Sequence, residues 1–114
     1  RNILITNWDP RKSHLERYRD VAQEIDDSLM ARIRQDAITI NEALGYDMNT
    51  VEFAVRDGIP YAIDFMNSAP DFDISSLTEK YFPWVVDAMA TMLVDRAKFE
   101  QEAVTYRWDK FLNQ

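Results

Sequence analysis

The sequence NTVEFAVRDGIPYAIDF, residues 49–65, decides the fold of this chain. Two segments rich in apolar and β-branched residues, 49–55 and 59–65, flank Arg56-Asp57-Gly58. Glycine and aspartate between two such segments are typical of a β-hairpin. A three-residue loop, with a type I turn followed by Gly58 in the left-handed region, would place Val55 opposite Ile59.

This predicted register separates the hairpin into an apolar face and a polar face. Alternate residues of each strand point to the same side of a sheet. The predicted apolar face consists of Val51, Phe53, Val55, Ile59, Tyr61, Ile63 and Phe65. The predicted opposite face consists of Glu52, Ala54, Ala62 and Asp64. Glu52 would lie opposite Ala62, which makes Asp64 its diagonal neighbour at ~7–8 Å.

Glu52, Asp64 and Asn67 are the candidate metal ligands in this sequence. Carboxylate and amide oxygens are the ligands that Mg²⁺ prefers, and the small side chains of Ala54 and Ala62 leave room for a bound ligand. The competing interpretation is an ordinary solvent-facing side of an antiparallel hairpin, and residue spacing alone favours it.

The remaining segments predict an α+β fold, with a small antiparallel sheet and its central hairpin packed against two main helices. Residues 3–6 resemble a short strand, which would make the sheet three-stranded, and residues 14–20 a helical turn. A helix should run from the acidic cap at residues 26–28 to Leu44, with Gly45 at its C-terminal cap.

The second main helix is predicted in the C-terminal half of the chain. Ser76 and Glu79 have the spacing of a capping box, and Pro83 suits the first turns of a helix. The apolar pattern continues through Phe99 and could reach Phe111. Residues 1–114 therefore predict a single domain.

Composition excludes several classes of function. The formal net charge is −7, from 13 basic and 20 acidic residues, which disfavours a nucleic-acid-binding protein. No apolar segment approaches the ~20 residues that span a membrane. Because the chain has no cysteine, neither disulfides nor thiolate metal sites are possible, and we expect a cytoplasmic protein.

Residues 45–53 and 61–70 resemble the metal-binding end of an ATP-grasp domain, as in glutathione synthetase-like and D-alanine–D-alanine ligase-like enzymes. The resemblance implies that Glu52, Asp64 and Asn67 hold Mg²⁺ against the phosphates of ATP, with Pro70 as the trailing proline. It also implies a small carboxylate substrate. Residues 8–11 resemble a strand and turn of some glutathione synthetase-like proteins, and Arg11 is a candidate contact for phosphate or carboxylate.

Two departures from the ATP-grasp pattern qualify this interpretation. The family usually has acid-x-Asn, whereas two residues separate Asp64 from Asn67, so a regular strand would point them to opposite faces. A bulge near Phe65 and Met66 could bring them together. The adenine-binding lobe, its lysine and its Gly-rich loop do not occur in this sequence. We therefore expect the C-terminal part of a longer ligase, inactive by itself.

A non-catalytic α+β interaction module is the alternative function, and a homodimer is a possible form of it. No residue is predicted to be catalytic. His14 is the single histidine and is interpreted as a surface residue, with phosphate contact or proton transfer as the other possibility. Asp71 and Asp73 could contact a metal or substrate, but the simpler interpretation is an acidic segment preceding a helix.

Overall fold

The structure is a computed structural model that describes residues 2–19, 25–99 and 109–112, without the side chains of residues 109 and 110. The chain forms two compact units. The first, which we call the hairpin unit, contains residues 25–70 and 109–112, and the second, the helix unit, contains residues 2–19 and 71–99. The described residues form helices and two antiparallel strand pairs, which confirms the α+β class.

In the helix unit, strand β1 (Asn7–Trp8) pairs antiparallel with strand β2 (Tyr18–Arg19), and a 3₁₀ helix (His14–Glu16) lies between them. The helical turn predicted over residues 14–20 is confirmed for His14–Glu16 but is wrong for Tyr18 and Arg19, which form a strand. The strand predicted at residues 3–6 is wrong, because those residues have no strand pairing. The Leu4 side chain instead packs against the core of the unit.

Helix α2 (Ile74–Lys98) supplies the core of the helix unit. Leu77, Tyr81 and Val85 recur at four-residue steps on its buried face. Leu4, Tyr18, Phe72, Phe82 and Met89 pack around them. The helix ends at Lys98, because the backbone of Phe99 is extended, so the prediction that it continues through Phe99 toward Phe111 is wrong. Residues 100–108 lie outside the described part of the chain, and α3 (Asp109–Leu112) follows them.

The capping box predicted at Ser76 is wrong, because the N-cap of α2 is three residues earlier, at Asp73. The Asp73 carboxylate accepts a hydrogen bond from the Ser75 amide at 2.7 Å. Ser76 is buried, and its hydroxyl donates to the Asp71 carboxylate. The helical backbone then breaks at Thr78, whose φ of 64° and ψ of 168° are not helical. Pro83 lies within the helix, five residues after this break.

In the hairpin unit, helix α1 (Asp27–Leu44) has the boundaries that the sequence predicts. The Asp26 carboxylate accepts a hydrogen bond from the Leu29 amide at 2.8 Å, and Gly45 ends the helix with a φ of 74°. Apolar residues at three- and four-residue steps form one stripe of the helix, on which Ile33 is buried and the others are half-buried: Leu29, Ala37, Ile40 and Leu44. Among the described residues, none of the helices combines the length and the hydropathy of a membrane span.

Strands β3 (Thr50–Arg56) and β4 (Ile59–Asn67) form the hairpin, but its turn differs from the predicted three-residue loop. Arg56 lies opposite Ile59, so only Asp57 and Gly58 form the turn. Their φ angles are 53° and 73°. Positive values at both central positions define a type I′ turn, whose twist matches that of the strands. The sheet contains these two strands alone, so the predicted three-stranded sheet is wrong for the described residues.

Replacing Gly58 by alanine should destabilise the chain by about 1 kcal/mol, because an L-residue resists the left-handed conformation. A Cβ at this position meets nothing within 4 Å, so steric contact adds no cost. Urea-induced unfolding measures the difference. Gly58→Asn is the control and should lose less, since asparagine tolerates this region. Equal stability of the wild type and Gly58→Ala would contradict the turn.

Replacing Thr78 by glycine should stabilise the chain by about 1 kcal/mol, because the backbone region that Thr78 occupies suits glycine almost exclusively. Thr78→Ala is the matched control: it loses the same hydroxyl but keeps the strained backbone. Thermal unfolding of the two variants separates backbone strain from loss of the side chain. If Thr78→Gly is no more stable than Thr78→Ala, the break in α2 is not strained.

Candidate metal site

The two-residue turn shifts strand β4 by one position relative to the predicted register. Val55 lies opposite Pro60 and Phe53 opposite Ala62, and directly paired residues share a face of the sheet. Ile59 and Tyr61 therefore lie on the other face, where they are 51% and 50% exposed. The predicted apolar face is thus wrong for Ile59, Tyr61 and Ile63.

A register shift in β4 then returns Asp64 to the face of Glu52. Phe53 pairs with Ala62 but Glu52 pairs with Asp64, so β4 has one extra residue at Ile63. Glu52 and Asp64 are directly opposite each other and not diagonal, as the sequence predicted. Directly opposed Cβ atoms lie ~4.5–5.5 Å apart, which is closer than the predicted separation.

A second register shift brings Asn67 to the same face. Thr50 pairs with Asn67, so β4 has another extra residue between Asp64 and Asn67. Because Thr50 and Glu52 are two positions apart on a regular strand, they point to the same side. Asn67 and Asp64 therefore share that side. This is the bulge near Phe65 and Met66 that the candidate ligands require in order to converge.

Asn49 holds the irregular end of β4 in place. Its Nδ2 donates to the carbonyl oxygen of Phe65 at 2.8 Å, and its Oδ1 accepts from the backbone amide of Asn67 at 2.9 Å. The side-chain amide thus substitutes for a peptide group where the ladder is interrupted. Sequence reasoning missed this role of Asn49, because it depends on contacts across the sheet that the pattern of a single strand does not record.

The electrostatics of this face are unfavourable for two ionised carboxylates. Burial raises the pKa of Glu52 above its ordinary value, and the negative charge of Asp64 raises it further. None of the ion pairs among the described residues involves Glu52 or Asp64. A cation bound between the two carboxylates would relieve this repulsion.

The described residues contain no group of three or more His, Cys, Asp or Glu side chains that could hold a metal. A cation at Glu52 and Asp64 would therefore need further oxygen ligands from the Asn67 amide, water or a bound phosphate. Mg²⁺ commonly binds in this way, through one or two carboxylates with waters and substrate phosphates.

Arg11, the predicted phosphate contact, lies in the helix unit and pairs with Asp9. Its Nε and Nη2 donate to the two Asp9 carboxylate oxygens at 2.9 and 3.0 Å. This pairing lowers the pKa of Asp9 to about 2, although the Arg11 side chain is 87% exposed. A role of Arg11 in binding phosphate stays a prediction.

Asp71 and Asp73 have structural roles at the start of α2. Asp71 accepts hydrogen bonds from the Ser76 hydroxyl and the Asp73 amide, and the charge of His14 also helps to lower its pKa. The hydrogen bonds from Ser75 lower the pKa of Asp73. Their local bonding agrees with the interpretation as an acidic segment preceding a helix.

Comparison with known proteins identifies no relative of this chain. No protein-family model, curated protein or solved structure matches the chain.

Replacing Glu52 by glutamine should stabilise the chain at neutral pH by about 0.5 kcal/mol, the order expected for removing a cross-strand pair of like charges. The pKa of Glu52 is higher in the folded state than in the unfolded state. The contribution of Glu52 to stability is therefore fully present below its unfolded-state pKa and is lost as the pH rises through its folded-state pKa. The gain should therefore appear at pH 7 and vanish near pH 3. Urea-induced unfolding at both pH values tests this.

The Asp64→Asn variant provides the control. Removing the Asp64 charge should lower the pKa of Glu52 toward its ordinary value, with burial still holding it above that value. An NMR titration of the Glu52 carboxyl carbon measures this pKa directly. An unchanged pKa in Asp64→Asn would show that the two carboxylates do not face each other.

Proposed function

We propose that the outward face of the β3–β4 hairpin binds Mg²⁺ and, through it, the phosphates of a nucleotide. One observation supports this most strongly: Glu52 and Asp64 are directly paired on adjacent strands. Asp64 is exposed and Glu52 half-buried, and neither has an ion-pair partner among the described residues. Like charges directly opposite each other destabilise a sheet, so such a pair suggests a ligand that compensates it.

In this proposal the Glu52 and Asp64 carboxylates and the Asn67 amide oxygen would hold the cation. Bound Mg²⁺ would neutralise negative charge on phosphate oxygens. The chain itself contributes the rigidity of the site. Asn49 fixes Asn67, and the type I′ turn with the bulge at Ile63 fixes Asp64 opposite Glu52.

We further propose that this hairpin belongs to an ATP-dependent carboxylate–amine or carboxylate–thiol ligase of the ATP-grasp type. Support comes from the order of residues in the hairpin, with an acid on one strand, a turn with glycine, then an acid, an asparagine and a proline. In such enzymes a substrate carboxylate attacks the γ-phosphate of ATP, which breaks the β–γ P–O bond, releases ADP and forms an acylphosphate. An amine or thiol then displaces phosphate from the acylphosphate.

Calorimetric titration with Mg²⁺ should detect binding to the wild-type chain, and Glu52→Gln and Asp64→Asn should each weaken it about tenfold or more, since each removes a charged ligand. Asp57→Asn is the matched control from the same hairpin. Asp57 lies in the exposed turn beside Arg56 and should leave binding unchanged. Equal weakening by Asp57→Asn, or no binding to the wild type, would overturn the cation site.

Adding ATP to the same titration separates the two parts of the proposal. If phosphate oxygens complete the coordination of Mg²⁺, ATP and Mg²⁺ should each tighten the binding of the other by the same factor. An inorganic chloride salt at equal ionic strength is the control. Mg²⁺ binding that is unaffected by ATP would retain the cation site and reject the nucleotide and ligase assignment.

A non-catalytic interaction module is the second candidate function, and exposed apolar side chains favour it. Ile59, Tyr61, Ile63 and Met66 are all at least half exposed on β4. Exposed apolar residues grouped on one strand are a common feature of interaction surfaces.

A further inference from the structure

The two outer edges of the hairpin differ in their capacity to accept another strand. Strand β4 contains Pro60, which lacks an N–H, and its register is interrupted twice before Asn67. Proline and bulges are features that prevent an edge strand from pairing with another chain. The outer edge of β4 is therefore poorly suited to pair with another strand.

The outer edge of β3 has neither feature. Its seven residues contain no proline and no glycine, and the described sheet ends at this strand. Val55 lies opposite Pro60, which has no N–H to give, so this pair is of the non-hydrogen-bonded type. Pair types alternate along an antiparallel ladder. The backbone N–H and C=O groups of Val55 and Phe53 therefore point away from β4.

We propose that the β3 edge pairs antiparallel with the β3 edge of a second copy of this chain, with Ala54 on the two-fold axis. Phe53 then lies opposite Val55 of the second copy, and the outward backbone groups of both residues exchange hydrogen bonds. Glu52 lies opposite Arg56 of the second copy. The interface is isologous, so every contact occurs twice.

Charge selects this register over its neighbours. Centring the pair on Glu52 would place two Glu52 side chains opposite each other, and a parallel in-register pair would do the same. Centring it on Phe53 would leave Glu52 opposite Ala54 and Arg56 opposite Thr50, without an ion pair. The register centred on Ala54 gives two Glu52–Arg56 pairs, and opposite charges facing each other stabilise a sheet.

The residues at the centre of the proposed interface suit close approach. Ala54 and Arg56 are exposed and the Val55 side chain is 44% exposed, so this end of β3 is accessible. Non-hydrogen-bonded pairs bring Cα atoms to about 4.5 Å, which the small Ala54 side chain permits. Phe53 opposite Val55 is an aromatic and β-branched pair, which is favourable across strands.

Glu52 gives this register an additional advantage. Within one copy, the Glu52 carboxylate faces the carboxylate of Asp64. The guanidinium of Arg56 from the second copy would compensate that charge. A short edge-to-edge interface buries little area, so we expect a dissociation constant between roughly micromolar and millimolar.

Sedimentation velocity from low micromolar to millimolar chain concentration, in a chelating buffer that removes divalent cations, tests the proposal independently of the metal site. The wild type should self-associate to a dimer. Arg56→Glu and Glu52→Arg should each raise the dissociation constant at least tenfold, because each places like charges opposite each other. The double variant should return it to within threefold of the wild type.

Two lysine substitutions form a matched pair that does not depend on Glu52. Val55→Lys places a charge on the β3 edge and should abolish the dimer, whereas Ile63→Lys places the same charge on β4 and should leave it intact. Circular dichroism verifies that each variant is folded. If Glu52→Arg unfolds, the two lysine variants and Arg56→Glu still test whether the β3 edge forms the dimer.

A wild type that stays monomeric at millimolar concentration would overturn the proposal. So would an Arg56→Glu variant that dimerises like the wild type. Loss of the dimer in Ile63→Lys but not in Val55→Lys would also overturn it, since association would then use the apolar side chains of β4.

Discussion

The positive φ angles of Asp57 and Gly58 are the constraint on which the hairpin depends. They make a two-residue turn, and the length of that turn decides which face each residue of β4 occupies. A turn of two residues alone would direct Asp64 to the face that carries Phe53 and Val55. The extra residue at Ile63 reverses this, so Asp64 faces Glu52 only because the turn and the bulge occur together.

This arrangement places an unfavourable interaction, between the carboxylates of Glu52 and Asp64, in the part of β4 where the register is interrupted. Bulges re-aim side chains, and the hydrogen bonds of Asn49 compensate the interrupted ladder at Phe65 and Asn67. Nothing described compensates the facing carboxylates of Glu52 and Asp64. A divalent cation or the guanidinium of Arg56 from a second copy would supply the missing positive charge. Both would compensate the repulsion between the carboxylates of Glu52 and Asp64.

The ends of helix α1 were predictable from the sequence, because short-range interactions determine them. Asp26 accepts a hydrogen bond from the Leu29 amide at the start of α1, and the Gly45 amide donates one to the Asn41 carbonyl oxygen at its end. Both contacts span about one helical turn of sequence. The length of the hairpin loop was not, since Asp-Gly suits both a two-residue turn and a three-residue loop. The predicted register was wrong because it placed the apolar side chains of Ile59, Tyr61 and Ile63 on a buried face, whereas these side chains are exposed. The bulges depend on contacts across the sheet with Asn49, which single-strand periodicity does not record.

The direction of the pKa shifts separates the structural acids of this chain from the candidate functional one. Hydrogen bonds lower the pKa values of Asp26, Asp71 and Asp73, so these carboxylates stabilise the fold above their unfolded pKa and lose that contribution as the pH falls through the folded values. Glu52 shifts the other way, because burial and Asp64 oppose its charge. An acid whose ionisation costs stability is not explained by the fold, and a ligand or partner that favours its charged form would explain its position.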